Sequence, residues 1–353
     1  MRLELLMVPI LVSCAAPTPK VDTPEDKSPV LIMQESATTA SLRGLSVVSD
    51  STAWASGANG TYLRTTNGGE SWETGTVPGA DGLDFRDVEG MDAETAYLLS
   101  AGEPAKLFGT TDGGAQWREL YSNDTPGIFF DSMAFWDGNR GIAFSDPVEG
   151  NFVIIRTIDG GTTWEQVRRE KLPPANDGEA GFAASGTMAA VHGSTHAWIG
   201  TGGKTARVLR STDQGSTWAA VETPMRHGES STGIFSITFW DPSNGMIVGG
   251  DYQDPDNQEA NAARSTDGGL TWKSVDDSPP LGFRSGVAYV PHADPPMLIA
   301  VGTSGMDISR DGGMTWASLS AEGYHTVALS PSGRIGWATG AEGRIVKIQI
   351  PMN

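Results

Sequence analysis

Apolar positions along this chain come in short runs rather than long stripes. Phe152-Val153-Ile154-Ile155, Val30-Leu31-Ile32-Met33 and the Val208-Leu209 that follows Arg207 are typical, each followed or preceded by polar and glycine-rich segments. No long stretch repeats its apolar residues at the helical period, so the pattern predicts short strands joined by tight turns. Composition agrees. The 353 residues include 45 Gly and 21 Pro. A glycine share of about 13% stands against a usual ~7%.

One string recurs six times: RTTNGGESW (64–72), GTTDGGAQW (109–117), RTIDGGTTW (156–164), RSTDQGSTW (210–218), RSTDGGLTW (264–272) and ISRDGGMTW (308–316). Its acidic or amide position is Asn67, Asp112, Asp159, Asp213, Asp267 and Asp311, at spacings of 45, 47, 54, 54 and 44. A period of that length in a strand-rich chain is the signature of propeller blades. The chemistry of the string is that of a turn. The carboxylate accepts backbone N–H groups, and the glycines supply positive φ without steric cost. The tryptophans that close it, Trp72, Trp117, Trp164, Trp218, Trp272 and Trp316, start the next strand and pack between sheets, each burying ~150–250 Å². Repeated positions in stacked units serve stacking, so these residues are read as structural.

Around each string four strands fit. Units begin near Leu42, Leu83, Ile128, Phe182, Ile234 and Phe283. After the sixth string, YHTVALS, IGWATG and RIVKIQI (324–350) supply three strands without a box. Val30 to Met33 supplies the fourth and ties both chain ends into one sheet, which protects its edges. The expected fold is all-β: a seven-bladed β-propeller of four-stranded blades over 29–353, the last closed by the N-terminal strand.

The strings resemble the Asp-box (bacterial neuraminidase) repeat. The longer context, such as SLRGLSVVSDSTAWASGANGTYLRTTNGGESW (41–72), is similar to the propellers of photosystem II stability/assembly factors, and the resemblance covers nearly all of 41–348. It implies a chaperone-like role, holding a membrane-protein partner during assembly. Arg43 and Arg86 carry it, in the LRG and FRD strings. The sialidase chemistry associated with such boxes is not expected, because the nearest strings to that family's Phe-Arg-Ile-Pro are FRDV (85–88) and FRSG (283–286).

In a propeller the innermost strands line a central channel, and the boxes fall on the face opposite its funnel. The longest loops on the funnel face are 172–187, 249–262 and 144–152. They carry Asp146, Glu149, Glu179, Ser185, Asp251 and Tyr252, while Arg43, Arg86 and Arg284 begin innermost strands. These form the candidate binding site, a mixed acid and arginine funnel for a protein or glycan. Replacing Arg43, Arg86 and Arg284 with alanine is expected to leave folding intact and abolish partner capture. The alternative function is a glycoside hydrolase or lyase using Asp146 with Glu179 or Asp251, since paired carboxylates are the minimum such chemistry needs.

Charge and cysteine narrow the rest. A net charge of −19 repels phosphate backbones and argues against nucleic-acid binding. The acidic loop from Asp251 to Asp256 with Glu259 lacks the glycine and terminal spacing of an EF-hand, so a solvated loop is expected. WIGTGGKTAR (198–207) has Trp198 where a phosphate loop needs its first glycine. No cofactor and no metal site are expected. The single cysteine, Cys14, follows the apolar run Leu5 to Val12 in the string Leu11-Val12-Ser13-Cys14, which reads as a bacterial lipobox. Residues 1–13 are then a signal peptide, Cys14 the lipidation site and 14–28 a Pro-rich tether. The run is too short to span a membrane. The expectation is an exported monomer, held at the outer membrane or facing the periplasm by its lipid alone.

Overall fold

The computed structural model describes residues 28–351. The proposed signal, Cys14 and the tether up to residue 27 lie outside these. Seven sheets follow one another around a ring, and no α-helix occurs among the described residues. Their innermost strands are Leu42–Val47, Asp84–Gly90, Phe130–Phe135, Ala189–His192, Thr232–Phe239, Gly286–Val290 and Thr326–Leu329. These define blades 1 to 7. Blade 7 adds Ile335–Thr339 and Ile345–Gln349 and takes Val30–Gln34 as its outer strand, with Val30 opposite Gln349 and Gln34 opposite Ile345. The expected seventh blade and its closure are both present.

Two details depart from the pattern read in the sequence. Blade 4 starts at Ala189 rather than near Phe182, because residues 181–187 form no strand. Phe182 instead stacks on Phe235 of blade 5, with ring centroids 3.9 Å apart. The sheet of blade 5 has six strands, not four, because Glu179–Ala180 and Gly202–Gly203 extend its inner edge.

The boxes do the turn work that their residue types predict. Asp112 Oδ1 accepts the Gln116 N–H and the Thr110 hydroxyl, each at 2.9 Å. Asn67, Asp159, Asp213, Asp267 and Asp311 hold the corresponding N–H groups of Ser71, Thr163, Thr217, Thr271 and Thr315. The Gln116 N–H keeps the Asp112 carboxyl below its usual range, as the Thr163 N–H does for Asp159. Gly114, at φ 89°, lies against the Tyr62 ring of the preceding blade, and the Tyr62 hydroxyl donates to its carbonyl at 2.7 Å. Tyr97 and Trp198 make the same reach to the carbonyls of Gly160 and Gly268. Each of these boxes is thus fastened to the blade before it.

The box tryptophans fill the spaces between sheets. Trp117 stands edge-on to Trp54 and Tyr62 of blade 1, at 6.2 and 5.0 Å. Trp72 meets Trp337 of blade 7 at 6.2 Å, and Trp164 and Trp272 meet Phe135 and Phe239 at 5.9 Å. Trp316 joins the cluster around Met246 and Val248, and Trp218 the one around Ile142 and Phe144. Around the channel, polar side chains link neighbouring inner strands. Asp87 Oδ2 accepts the Met133 N–H at 2.7 Å, and Ser236 Oγ accepts the Val287 N–H at 2.9 Å.

Candidate functional site

The funnel is built by a β-bulge that recurs in the inner strands. The pairing register slips once in blade 1 between Leu42 and Gly44, and once in blade 2 between Phe85 and Asp87. The same slip occurs in blade 3 between Phe130 and Ser132, and in blade 5 between Ile234 and Ser236. A bulge inserts one residue and re-aims its side chain. The residues before the slips, Leu42, Phe85, Phe130 and Ile234, are fully buried between the blades. Three of the extra residues, Arg43, Arg86 and Phe235, line a cavity of about 320 Å³ at the channel mouth, shared with Phe182, Tyr252 and His325. The fourth, Asp131, is buried beside it.

Arg284 is not part of this ring, although FRSG looks like FRD. In blade 6 the strand ladder begins at Gly286, opposite Val301. Gly302 lies against the Phe283 carbonyl and the Arg284 Cα, as Gly57 lies against the Ser41 carbonyl and the Leu42 Cα. Arg284 therefore occupies the core position of Leu42, and Ser285 faces the cavity. Arg284 is 1% exposed, and its guanidinium pairs with Asp307 at 2.7 Å. It also donates to the carbonyls of Phe283 and Leu281 and to the Ser304 hydroxyl. Burial lowers the Arg284 pKa and raises that of Asp307.

The predicted carboxylates are likewise dispersed. Glu179 is 4% exposed and forms a two-point pair with Arg207, at 2.9 and 2.5 Å, while accepting from Thr201 and the Asn176 N–H. Asp251 is buried and caps its own loop by accepting the Gln253 N–H. Asp146 accepts the Gly181 N–H at 2.6 Å, and burial pushes its pKa up to about 6. Ser185 is buried and joins Thr187 and Ser236 in a hydroxyl chain. Glu149 is exposed at a hairpin tip, 3.9 Å from Arg169. Among the described residues the carboxylate bound to a cavity arginine is that of Asp84, which accepts from Arg86 Nε at 2.5 Å without lining the cavity itself, and no group of three or more His, Cys, Asp or Glu is spaced to hold a metal among them.

Two kinds of group dominate the cavity. Arg43 and Arg86 supply charge, and burial followed by the Arg86 charge lowers the Arg43 pKa. His325 adds none, because burial and then Arg43 push it down to about 3. The other wall is aromatic. Phe235 stacks on Phe182, stands edge-on to Phe283 at 4.7 Å and meets Tyr252, 47% exposed, at 6.1 Å. Phe235 and His325 escaped the sequence reading as site residues, and Phe182 and Phe283 were read only as the starts of units. Aligning IFSI (234–237) and YHTV (324–327) under LRGL (42–45) would have found Phe235 and His325.

Residues 31–130 match the family model described as photosynthesis system II assembly factor YCF48. This is an Asp-box propeller similar to photosystem II assembly factors. A solved structure described as YCF48 bound to D1 peptide is 17% identical, with a TM-score of 0.66, covering 93% of this chain and 98% of its own. YCF48 from Cyanidioschyzon merolae is 19% identical, with a TM-score of 0.60 over 90% of this chain and 98% of its own. The WD40 propeller domain of Doa1 is 12% identical, with a TM-score of 0.58 over 91% and 96%. At these identities the solved structures bear on the fold. Xyloglucanase Xgh74A of Acetivibrio thermocellus is 24% identical over 61% of this Asp-box propeller, which spans only 29% of that enzyme.

The raised Asp146 pKa makes a testable statement about stability. An unfolded Asp titrates near 3.9, and the folded value is about 6. The folded state therefore holds this proton more tightly. Its contribution is complete below pH ~4 and is lost as pH rises through about 6, by roughly 3 kcal/mol in all. Asp146→Asn keeps an acceptor for Gly181 and removes the titration. In urea denaturation the variant is expected to gain on the wild type between pH 4 and 7. A difference constant across that range would exclude this origin.

Proposed function

We propose that this propeller is a non-catalytic binding scaffold whose funnel captures a polypeptide segment of a partner protein, as an assembly factor engages an unfinished complex. The observation that carries the reading is the repeated bulge, which sets Arg43 and Arg86 beside an aromatic wall in a chain of net charge −19. Main-chain carbonyls or a carboxylate would meet the guanidiniums, and an apolar side chain would meet the rings. The likeness to a YCF48 structure containing a D1 peptide supports a peptide as the ligand class. The likeness to a xyloglucanase supports a glycosidase less well, because Asp146, Glu179 and Asp251 are engaged in separate bonds.

The test uses an array of synthetic peptides covering loops and termini of the host's membrane proteins. Wild-type chain is expected to select a subset, and the Arg43→Ala/Arg86→Ala variant to lose at least about tenfold in affinity, or ~1.4 kcal/mol. Undiminished binding would move the site elsewhere. As part of the same proposal the chain is exported and anchored through Cys14. Full-length chain then fractionates with membranes, and Cys14→Ser does not.

A further inference from the structure

The two funnel arginines already have a ligand, and it belongs to this chain. Arg86 Nη1 donates to the Ala183 carbonyl at 2.8 Å, and Arg43 Nη1 to the Ala184 carbonyl at 3.2 Å. Asp146 accepts the Gly181 N–H at 2.6 Å. Between these points Phe182 lies flat on Phe235, at 3.9 Å and 12°. The turn Gly181–Ala184 is thus gripped by side chains from blades 1, 2, 3 and 5, although it precedes the inner strand of blade 4. Gly181 presses so closely on the buried Asp131 carboxyl that no side chain would fit there.

The mode of attachment matters more than its presence. Residues 181–187 belong to no strand. The turn is fixed by side chains reaching its backbone, and by one aromatic ring in an aromatic-walled cavity. A pocket holds a foreign peptide in the same way. An intramolecular occupant competes at an effective concentration in the millimolar range, so it lowers the apparent affinity of anything else that uses those groups.

We propose that Gly181–Ala184 is a built-in occupant of the funnel, and that a partner polypeptide displaces it. The incoming segment presents carbonyl oxygens to Arg43 and Arg86 and an aromatic side chain to Phe235. This rests on the reading of the funnel as a polypeptide site and adds the kind of segment it takes. Loosening the turn then strengthens binding. If the turn were a permanent floor of the cavity, loosening it would weaken binding or leave it unchanged.

The probe is the acetylated, amidated, fluorescently labelled peptide AGFAASG, the sequence of residues 180–186, read by polarisation. Phe182→Ala is expected to bind it at least about tenfold more tightly than wild type does. Binding should be lost on adding Arg43→Ala/Arg86→Ala, or on replacing the peptide's Phe with Ala. Equal binding by Phe182→Ala and wild type, or none by either at millimolar peptide, would overturn the proposal. Amide exchange on the wild type supplies a check that needs no variant. The Gly181 and Ala183 amides are expected to exchange at least ~100-fold faster than the Met133 and Val287 amides of the inner strands, because a displaceable turn opens without global unfolding. Equal rates would show a fixed floor. The outcomes also separate from the function test. Peptide-array binding that ignores Arg43 and Arg86 removes the site itself, whereas an unaltered Phe182→Ala removes only the displaceable turn.

Discussion

Arg284→Ala is expected to destabilise the propeller by about 3–5 kcal/mol, the usual cost of leaving one partner of a buried ion pair unpaired. Arg284 is 1% exposed and Asp307 is fully buried, and the guanidinium ties Asp307 to the carbonyls of Leu281 and Phe283. Alanine would strand the Asp307 carboxyl in the core and remove three further donors. The double variant Arg284→Leu/Asp307→Leu is expected to recover most of the loss, since well-packed apolar residues replace such pairs at little net cost. Urea denaturation followed by tryptophan fluorescence measures both. Arg43→Ala and Arg86→Ala, at half-buried positions, should stay within about 1 kcal/mol of wild type. A loss below ~1 kcal/mol for Arg284→Ala would contradict the core placement. Replacing all three arginines together is therefore expected to destabilise the fold, whereas the sequence alone led to the expectation that folding stays intact.

The ring closure predicts the second large effect. Gln34, at the end of the N-terminal strand, accepts both the Trp72 and Trp337 indole N–H groups, at 3.0 and 2.9 Å, and so joins blade 1 to blade 7. Gln34→Leu leaves two indole donors without their acceptor, at about 1–3 kcal/mol each. Removing residues 1–35 goes further. It strips the strand Val30–Gln34 from Ile345–Gln349 and exposes a sheet edge, the kind of edge that pairs with other chains. The truncated chain is expected to elute as dimers and larger species on size exclusion, with a lowered melting temperature. A monomer melting like the intact chain would mean that closure does not depend on this strand.

Much of the fold was legible because the boxes are local. A six-fold string whose Asp, glycines and Trp each satisfy a turn or a sheet gap announces blades wherever it occurs. The unboxed remainder at 324–350 and the lone run from Val30 to Met33 then required each other. The funnel was legible only in part. Arg43 and Arg86 were found because their strings repeat, but Tyr252 was the only member of the aromatic wall assigned to the funnel, and Phe182 and Phe283 were taken for the starts of units.

What the sequence determined by itself was most of what hydrogen-bonds or packs within about one blade: seven units, their box turns, and the strand that closes the ring. Tertiary structure alone decided which side chains face the funnel. FRD and FRSG are nearly the same string, yet the arginine is the extra residue that reaches the cavity in blade 2, whereas in blade 6 it takes the core position and Ser285 reaches the cavity. One residue of register turns a side chain from cavity to core. That register is set by partners fifteen positions away, such as Ser100 opposite Phe85 and Val301 opposite Gly286. Likewise Glu179 became half of a buried pair with Arg207, 28 residues away in the chain, instead of a funnel charge.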